Sequence, residues 1–190
     1  SSGVIRYKGQ KITSLKPHQI CKRGIARTFQ SVQLFGNMTV LDNVFLGSVC
    51  GTPTRISTVD AKQRAMDFLE FVGLSAKKAD FAKSLTAADQ KRLEIARALA
   101  TEPELLLLDE VMSGLNTTEA AATTGLNKEI RNKGTTIFMV EHVMKAIMTI
   151  CDRIIVLHHG EKIAEGTPNE IVTSKRVIEV YLGLGAYAES

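Results

Sequence analysis

The chain has 190 residues, of which 44% are apolar and 23% charged, and its formal net charge is +4. This composition is sufficient for a buried core and excludes a chain that is disordered throughout. No apolar run is longer than four residues, whereas a membrane-spanning helix needs about twenty, so we expect no transmembrane segment. The chain begins with neither methionine nor the apolar core of a signal peptide, so we expect a cytosolic protein whose sequence starts partway along a longer one.

Cysteine spacing and charge distribution add two further expectations. Cys21, Cys50 and Cys151 are widely spaced and form no CxxC pair, so we expect reduced thiols rather than disulfides or a zinc site. Residues 1–100 carry 16 basic and 7 acidic side chains, whereas residues 101–190 carry 8 and 13. The basic half is consistent with ordinary solvated faces or with a surface that meets an anionic partner.

The first part of the chain is predicted to form a hairpin followed by helices. Residues 4–12 alternate like a strand interrupted by a glycine turn, and Pro17 opens a short helix that ends at Gly24. Residues 39–73 follow a helical period, with Thr58 as a candidate N-cap within the block.

The remaining elements are predicted to alternate between helices and strands. After a helix that follows Thr86, the apolar runs Leu105–Leu108 and Thr135–Val140 read as parallel strands buried on both faces. The other predicted elements are a helix over 117–133, a second helix after His142, a strand over 153–158, a hairpin turn at Gly160, and short helices around 168–173 and 176–182.

Three ionisable residues follow the two buried strands. Asp109 and Glu110 end the first strand, and His142 comes shortly after the second. Ligands of open parallel sheets bind at the carboxyl ends of the strands, so this edge is the candidate active site. In a magnesium-nucleotide enzyme Asp109 would hold the metal, Glu110 would polarise water, and His142 would contact the developing phosphate charge. The simpler alternative is that the acidic residues merely end a strand and that His142 is a helix cap or a packed imidazole.

The chain resembles the ATP-binding cassette (ABC) family of ATPases through five segments that occur in the family's order. These are the Q-loop at Thr28–Gln30, the signature loop and helix at Leu85–Leu99, the Walker B box at Leu105–Glu110, the D-loop at Ser113–Asn116, and the switch-histidine loop at Val140–His142. Within the family, four segments are similar to the ATP-binding subunits of branched-chain amino-acid importers: Gly24–Gln30, Leu93–Leu99, Gly114–Asn116 and Val177–Gly183.

The resemblance implies an α/β fold, with a parallel-sheet core like that of P-loop NTPases and an α-helical subdomain. Residues 1–190 would form a partial nucleotide-binding domain that lacks the first strand and the phosphate loop. Within it, residues 1–30 would lead to the Q-loop, 31–100 would form the helical subdomain, and 101–190 would complete the α/β core.

The resemblance also implies functional residues and two cofactors, ATP and Mg²⁺. The catalytic residues would be Glu110, His142 and Gln30, and the metal ligands would be Asp109 and Gln30. Nucleotide contacts would come from Thr86, Ala87, Ala88 and Asp89 of the signature loop, which would reach the nucleotide of a second subunit, and from Ser113, Gly114, Leu115 and Asn116 of the D-loop.

The expected partners are transmembrane permease subunits, which the helical subdomain would contact, and a second ATP-binding subunit in a homodimer or heterodimer. We expect no nucleic-acid partner. The expected location is cytoplasmic, peripheral on the inner face of the cell membrane.

The signature loop departs from the family pattern, because Ala87-Ala88-Asp89 stands where Gly-Gly-Gln is usual. The Ala88 methyl and the Asp89 charge would weaken an approach to a partner's phosphate. Alternatively, Thr86 and Asp89 form an N-capping pair for the helix, and the sequence leaves both interpretations open.

The phosphate loop is absent from the sequence. None of the 14 glycines is followed by lysine, so the chain contains no GxxxxGK[ST] motif. One alternative to the transport ATPase is therefore a catalytically inactive docking module with the same fold. A separate alternative is a soluble ABC ATPase that takes no part in transport.

Overall fold

The structure is a computed structural model that describes residues 3–51 and 56–182. The chain divides into two compact units, residues 1–141 and residues 142–190. Residues 52–55 of the predicted helical block and the closing Gly183 lie outside the described residues. Among the described residues, no helix combines the length and the hydropathy needed to cross a bilayer.

The first unit contains five strands and five α-helices in its described part. In chain order they are β1 (Arg6–Tyr7), β2 (Gln10–Lys11), α1 (Pro17–Cys21), β3 (Ile25–Arg27), α2 (Val40–Gly51), α3 (Thr58–Phe71), α4 (Ala87–Leu99), β4 (Leu105–Asp109), α5 (Thr117–Asn132) and β5 (Thr136–Val140). Short 3₁₀ turns at Ser75–Lys77 and Ala82–Ser84 join α3 to α4. The predicted elements of this unit are present in the predicted order, except that β3 was not predicted from the sequence.

The second unit is a hairpin with short helices. Its elements are α6 (Met144–Ile150), β6 (Ile154–His158), β7 (Glu161–Gly166), α7 (Pro168–Val172) and α8 (Lys175–Val177), followed by a π-helical turn at Ile178–Leu182. β6 and β7 pair antiparallel, and the turn between them places His159 and Gly160 at positive φ. The predicted turn at Gly160 is therefore confirmed.

A three-stranded parallel sheet in the order β3-β4-β5 forms the centre of the first unit. Leu107 pairs with Arg27 on one side and with Phe138 on the other, and Asp109 pairs with Val140. The two apolar strands are thus parallel and adjacent, as predicted, so their carboxyl ends lie at the same edge of the sheet.

The prediction that both apolar strands are buried on both faces is wrong. Leu106 and Leu108 of β4 are buried, but the alternate residues of that strand are only partly covered. Phe138 and Val140 of β5, which pair with the partly covered Leu107 and Asp109, are 56% and 52% exposed. An apolar run does not by itself show that both faces are covered, and here β5 is the edge strand of the sheet and leaves apolar surface open.

The helices α2, α3 and α4 pack against one another and form the predicted helical block. One face of α3 is buried at Ala61, Ala65 and Leu69, at helical spacing. The N-cap of α3 is Ser57, whose hydroxyl accepts a hydrogen bond from the Asp60 amide, and not Thr58 as predicted. Both hydroxyl residues could cap the helix, and the chain enters the helical conformation one residue earlier than expected.

Close packing of α2 against α4 depends on Gly47. A Cβ atom at this position would overlap the carbonyl oxygen of Arg97 and press on the Ala100 side chain. A glycine in the middle of a helix normally costs stability, so here the close approach of two helices outweighs that cost.

Two charged side chains of α4, the buried Glu94 and the partly buried Arg97, fix the loop that follows β3. Glu94 is 3% exposed, and its Oε1 accepts a hydrogen bond from the Gln33 amide at 3.2 Å. Arg97 donates to the Gln33 carbonyl, and its guanidinium lies 5.5 Å from the centre of the Phe35 ring. Burial raises the pKa of Glu94 above its ordinary value and lowers that of Arg97. These contacts attach the loop after β3 to α4.

We predict that Gly47→Ala lowers the free energy of unfolding by about 1–3 kcal/mol, because the added methyl must push α2 away from α4. The matched control is Gly125→Ala in α5, where a Cβ atom meets nothing within 4 Å. That control should gain about 0.5–1 kcal/mol from helix propensity. Urea unfolding followed by circular dichroism measures both, and equal effects of the two substitutions would contradict the packing argument.

Glu94 should also make stability depend on pH. The folded chain holds the Glu94 proton more tightly than the unfolded chain does, so the wild type loses stability relative to Glu94→Gln as the pH rises above the ordinary value of 4.5. The stability difference between the two proteins should grow with pH and become constant above the folded-state pKa. Urea titrations at a series of pH values test this, with Glu70→Gln on the exposed side of α3 as the control. A difference that stays constant with pH would show that burial does not perturb Glu94.

Candidate active site at the carboxyl end of the parallel sheet

The sheet edge is built by short backbone and hydroxyl contacts between β3 and β4. The Thr28 amide donates to the Leu107 carbonyl at 2.9 Å, and the fully buried Thr28 hydroxyl accepts from the Asp109 amide at 3.3 Å. The Glu110 amide continues the pairing with β5 by donating to the Val140 carbonyl at 2.9 Å. These contacts place the ends of three strands side by side.

Gln30 and Glu110, two of the predicted catalytic residues, are in direct contact. The Gln30 Nε2 donates to the Glu110 Oε2 at 2.9 Å, across 80 positions of sequence. Both belong to the first unit, whereas His142 begins the second one. The catalytic role of His142 therefore remains a prediction.

Asp109 is ion-paired at the same edge. Its Oδ2 lies 2.9 Å from the Arg27 Nη2, and its side chain is 29% exposed. The Arg27 guanidinium also lies 5.0 Å from the centre of the exposed Phe29 ring. Arg27 stabilises an acidic side chain at the end of an apolar strand, where an unpaired carboxylate would be costly.

The residues at this edge are chemically suited to Mg²⁺. The Asp109 carboxylate and the Gln30 amide oxygen are hard oxygen ligands, which this ion prefers. Within residues 3–51 and 56–182, no three or more His, Cys, Asp or Glu residues cluster as a metal site. A site with one or two protein ligands, completed by water and nucleotide phosphates, is how proteins usually bind Mg²⁺.

In the signature loop, Thr86 is the N-cap of α4, and its hydroxyl accepts from the Asp89 amide at 3.3 Å. The Asp89 carboxylate pairs with Lys77 and lies 3.7 Å from Arg92. Ala88 and Asp89 are both buried. The sequence left two interpretations open. For the capping pair, the Thr86 hydroxyl makes its bond to the Asp89 amide. For the approach to a phosphate, the Asp89 charge is neutralised by Lys77 and Arg92 of the same subunit.

The D-loop has a structural role of its own in this subunit. The Asn116 side chain accepts from the Glu119 amide at 2.9 Å, and the Glu119 carboxylate accepts from the Asn116 amide at 3.0 Å. Ser113 donates its amide to the Glu110 carbonyl at 3.1 Å. Gly114 is exposed with φ 73°, and Leu115 is partly covered. The loop therefore joins the end of β4 to a reciprocal capping box at the start of α5.

Three functional candidates were missed by the sequence interpretation: Arg27, Lys91 and Glu141. Lys91 of α4 donates to the carbonyls of Glu110 and Ser113, the first at 3.3 Å. The Glu141 Oε1 accepts from the Met112 amide at 2.8 Å. Burial lowers the pKa of Lys91, although the carboxylates of Glu141, Glu94 and Glu110 act in the opposite direction. In the sequence, these three residues are marked only by their charge and by their position in or beside the predicted loops.

Comparisons with known proteins identify the family to which the chain belongs. The family model described as "ABC transporter" matches residues 1–113, and the one described as "Branched-chain amino acid ATP-binding cassette transporter" matches residues 161–187. The chain is 39% identical over 196 residues to the high-affinity branched-chain amino acid transport ATP-binding protein LivG of Escherichia coli K12. This match covers 96% of the chain and 77% of LivG.

Solved ATP-binding cassettes share the fold. The ADP conformation of MJ1267, an ATP-binding cassette of an ABC transporter, matches with a TM-score of 0.82 and 29% identity, over 96% of this chain and 77% of that one. A dimeric post-hydrolysis state of the cassette MJ0796, bound to ADP and Pi, matches with a TM-score of 0.78 and 25% identity. This match covers 88% of the present chain and 74% of the MJ0796 chain. The chain belongs to the ABC transporter family, as the order of its five motifs predicted.

Proposed function

We propose that the chain is the ATP-binding subunit of an importer for branched-chain amino acids and that it couples ATP hydrolysis to transport. The observation that carries this proposal is the contact between Gln30 and Glu110 beside Asp109 at the carboxyl edge of the parallel sheet. The similarity to LivG supports the substrate class. The amino acid itself is recognised elsewhere in such a transporter, so no residue of this chain identifies it.

In this proposal Glu110 is the residue that activates water. Its carboxylate accepts a hydrogen bond from Gln30, which fixes the orientation of one oxygen and leaves the second oxygen to accept a proton from an attacking water. His142 would donate to the phosphate oxygens as charge develops on them. Gln30 would act both as a catalytic positioning group and as a link to the helical subdomain.

Asp109 and the Gln30 oxygen would hold Mg²⁺, which neutralises phosphate charge when bound. The Asp109 carboxylate is already paired with Arg27, so metal binding would require the guanidinium to share this carboxylate or to turn away from it. Arg27 is more than half exposed and can move without opening the core. The ion pair therefore stabilises the carboxylate while leaving it accessible.

A second ATP-binding subunit would complete the nucleotide site. The N-terminus of α4, with Thr86, Ala87 and Ala88, would face the partner's nucleotide, because unpaired amides at a helix N-terminus favour an anion. The D-loop would lie at the same interface. The dimeric MJ0796 cassette supports this arrangement, and the pairing of Asp89 with Lys77 and Arg92 removes the main electrostatic objection to it.

The helical block of α2, α3 and α4 would contact the permease subunits at the cytoplasmic face of the membrane. Glu94 and Arg97 connect this block to the loop that carries Gln30. A displacement of the block by the permease would thus reach Gln30 through short polar contacts.

Catalysis by Glu110 can be tested in a version of the chain extended at its N-terminus with a GxxxxGK[ST] phosphate loop. Glu110→Gln should lower kcat for ATP hydrolysis by about 10²–10⁴-fold, because the water-activating carboxylate is lost. ATP affinity should be preserved, because the metal and phosphate contacts remain. Steady-state phosphate release and equilibrium nucleotide binding measure the two effects. Glu129→Gln, on the exposed side of α5, is the control, and an unchanged kcat in Glu110→Gln would remove Glu110 from the mechanism.

A further experiment concerns the 190 residues themselves, which contain no GxxxxGK[ST] motif. We predict that this chain gives no micromolar isotherm with MgATP, because the nest of phosphate-loop amides and its lysine are missing. Isothermal titration calorimetry tests this, with the extended version as the positive control. Tight binding that is abolished by Asp109→Ala would show that the sheet edge holds nucleotide without a phosphate loop.

A further inference from the structure

The backbone of Glu110 adopts an unusual conformation. Its φ is 47°, in the left-handed region that residues other than glycine seldom occupy. Such a conformation persists only where the surrounding structure holds it, and it is often found at functional sites. The residue proposed to activate water is therefore one whose geometry depends on its neighbours.

Four hydrogen bonds hold Glu110. Its amide donates to Val140, its side chain accepts from Gln30, and its carbonyl accepts from the Ser113 amide at 3.1 Å. The fourth comes from the Lys91 ammonium, which donates to the same carbonyl at 3.3 Å. Three of these bonds come from loops and strands of the sheet edge, and only the bond from Lys91 comes from α4.

Lys91 also closes the turn that begins at Glu110. Its Nζ donates to the Ser113 carbonyl, so one ammonium joins both ends of the turn formed by residues 110–113. The carboxylates of Glu141, Glu94 and Glu110 favour its charged form, against the burial that lowers the pKa of Lys91. The Glu141 carboxylate meanwhile accepts from the Met112 amide in the middle of the turn. The ammonium and this carboxylate therefore hold the turn from two sides.

We propose that Lys91 is a positioning residue that keeps Glu110 in its left-handed conformation and ties the 110–113 turn to the signature helix α4. This inference rests on the proposed function for its consequence, although not for its geometry. Residues 86–89 at the N-terminus of α4 lie within two helical turns of Lys91. A shift of α4 on engaging a partner's nucleotide would thus move the Glu110 carbonyl of the same subunit, which links closure of one site to the geometry of the other.

Amide hydrogen exchange of the 190-residue chain tests the geometry without any nucleotide. In Lys91→Met, the amides of Glu110, Met112 and Ser113 should exchange about tenfold faster, because the turn loses its tether. The amide of Ile95 within α4 should be unchanged, and Lys91→Arg should restore protection at the turn by keeping a cationic donor. Lys62→Met, on the exposed side of α3, is the matched control.

Two outcomes would overturn the inference. Unchanged exchange at the turn would show that Lys91 does not hold it, and an equal acceleration at all amides would show that Lys91 contributes only to global stability. If Lys91→Met does not fold, Lys91→Gln serves in its place. Its side chain is shorter and uncharged, so the same faster exchange at the turn is expected.

The functional consequence is measured in the extended version that carries a phosphate loop. Lys91→Met should lower kcat about tenfold with KM unchanged, and Lys91→Arg should recover most of the activity. A change in KM alone would contradict the positioning role. If the unsubstituted extended version itself shows no hydrolysis, the proposed function fails, while the exchange experiment still decides whether Lys91 holds the turn.

Discussion

The organisation of the site depends on the need of charges removed from water for polar partners. Helix α4 carries the buried Glu94 and the partly buried Lys91 and Arg97, and leaving such groups without a partner is destabilising. Their partners are backbone groups of two loops: Gln33 after β3, and Glu110 and Ser113 after β4. The hydrogen bonds of these three side chains thus hold both loops against helix α4.

This constraint explains how a helical block and a sheet edge can act together. The loop after β3 carries Gln30, and the loop after β4 carries Glu110; their side chains meet at 2.9 Å. Because α4 holds both loops by their backbones, the side chains remain available for each other and for a ligand. In a family whose members couple nucleotide chemistry to movement of a membrane partner, such an arrangement provides a short route between the two.

The sequence predicted the features that are encoded locally. Most elements follow from hydrophobic period, and the Thr86 cap and the glycine turns follow from single residues. The short strand β3 was not predicted, and the cap of α3 was placed one residue late. Contacts between distant residues were not predictable: Arg27 with Asp109 is separated by 82 positions, Lys91 with Ser113 by 22, and Glu141 with Met112 by 29. The open face of β5 was mistaken for a buried one because Phe138 and Val140 have the composition of a core strand. Charge alone suggested that Asp89 opposes a phosphate, and its pairing with two cations could be seen only in three dimensions.

The most direct test of the central claim, that the sheet edge around Gln30, Asp109 and Glu110 is the catalytic end of an ABC ATPase, is to locate the metal. A crystal of the extended version with MnATP would give an anomalous manganese signal that needs no assumption about the site. We expect the ion beside the side-chain oxygens of Asp109 and Gln30, with Glu110 facing the terminal phosphate. An ion bound elsewhere, with Asp109 still paired to Arg27, would contradict it.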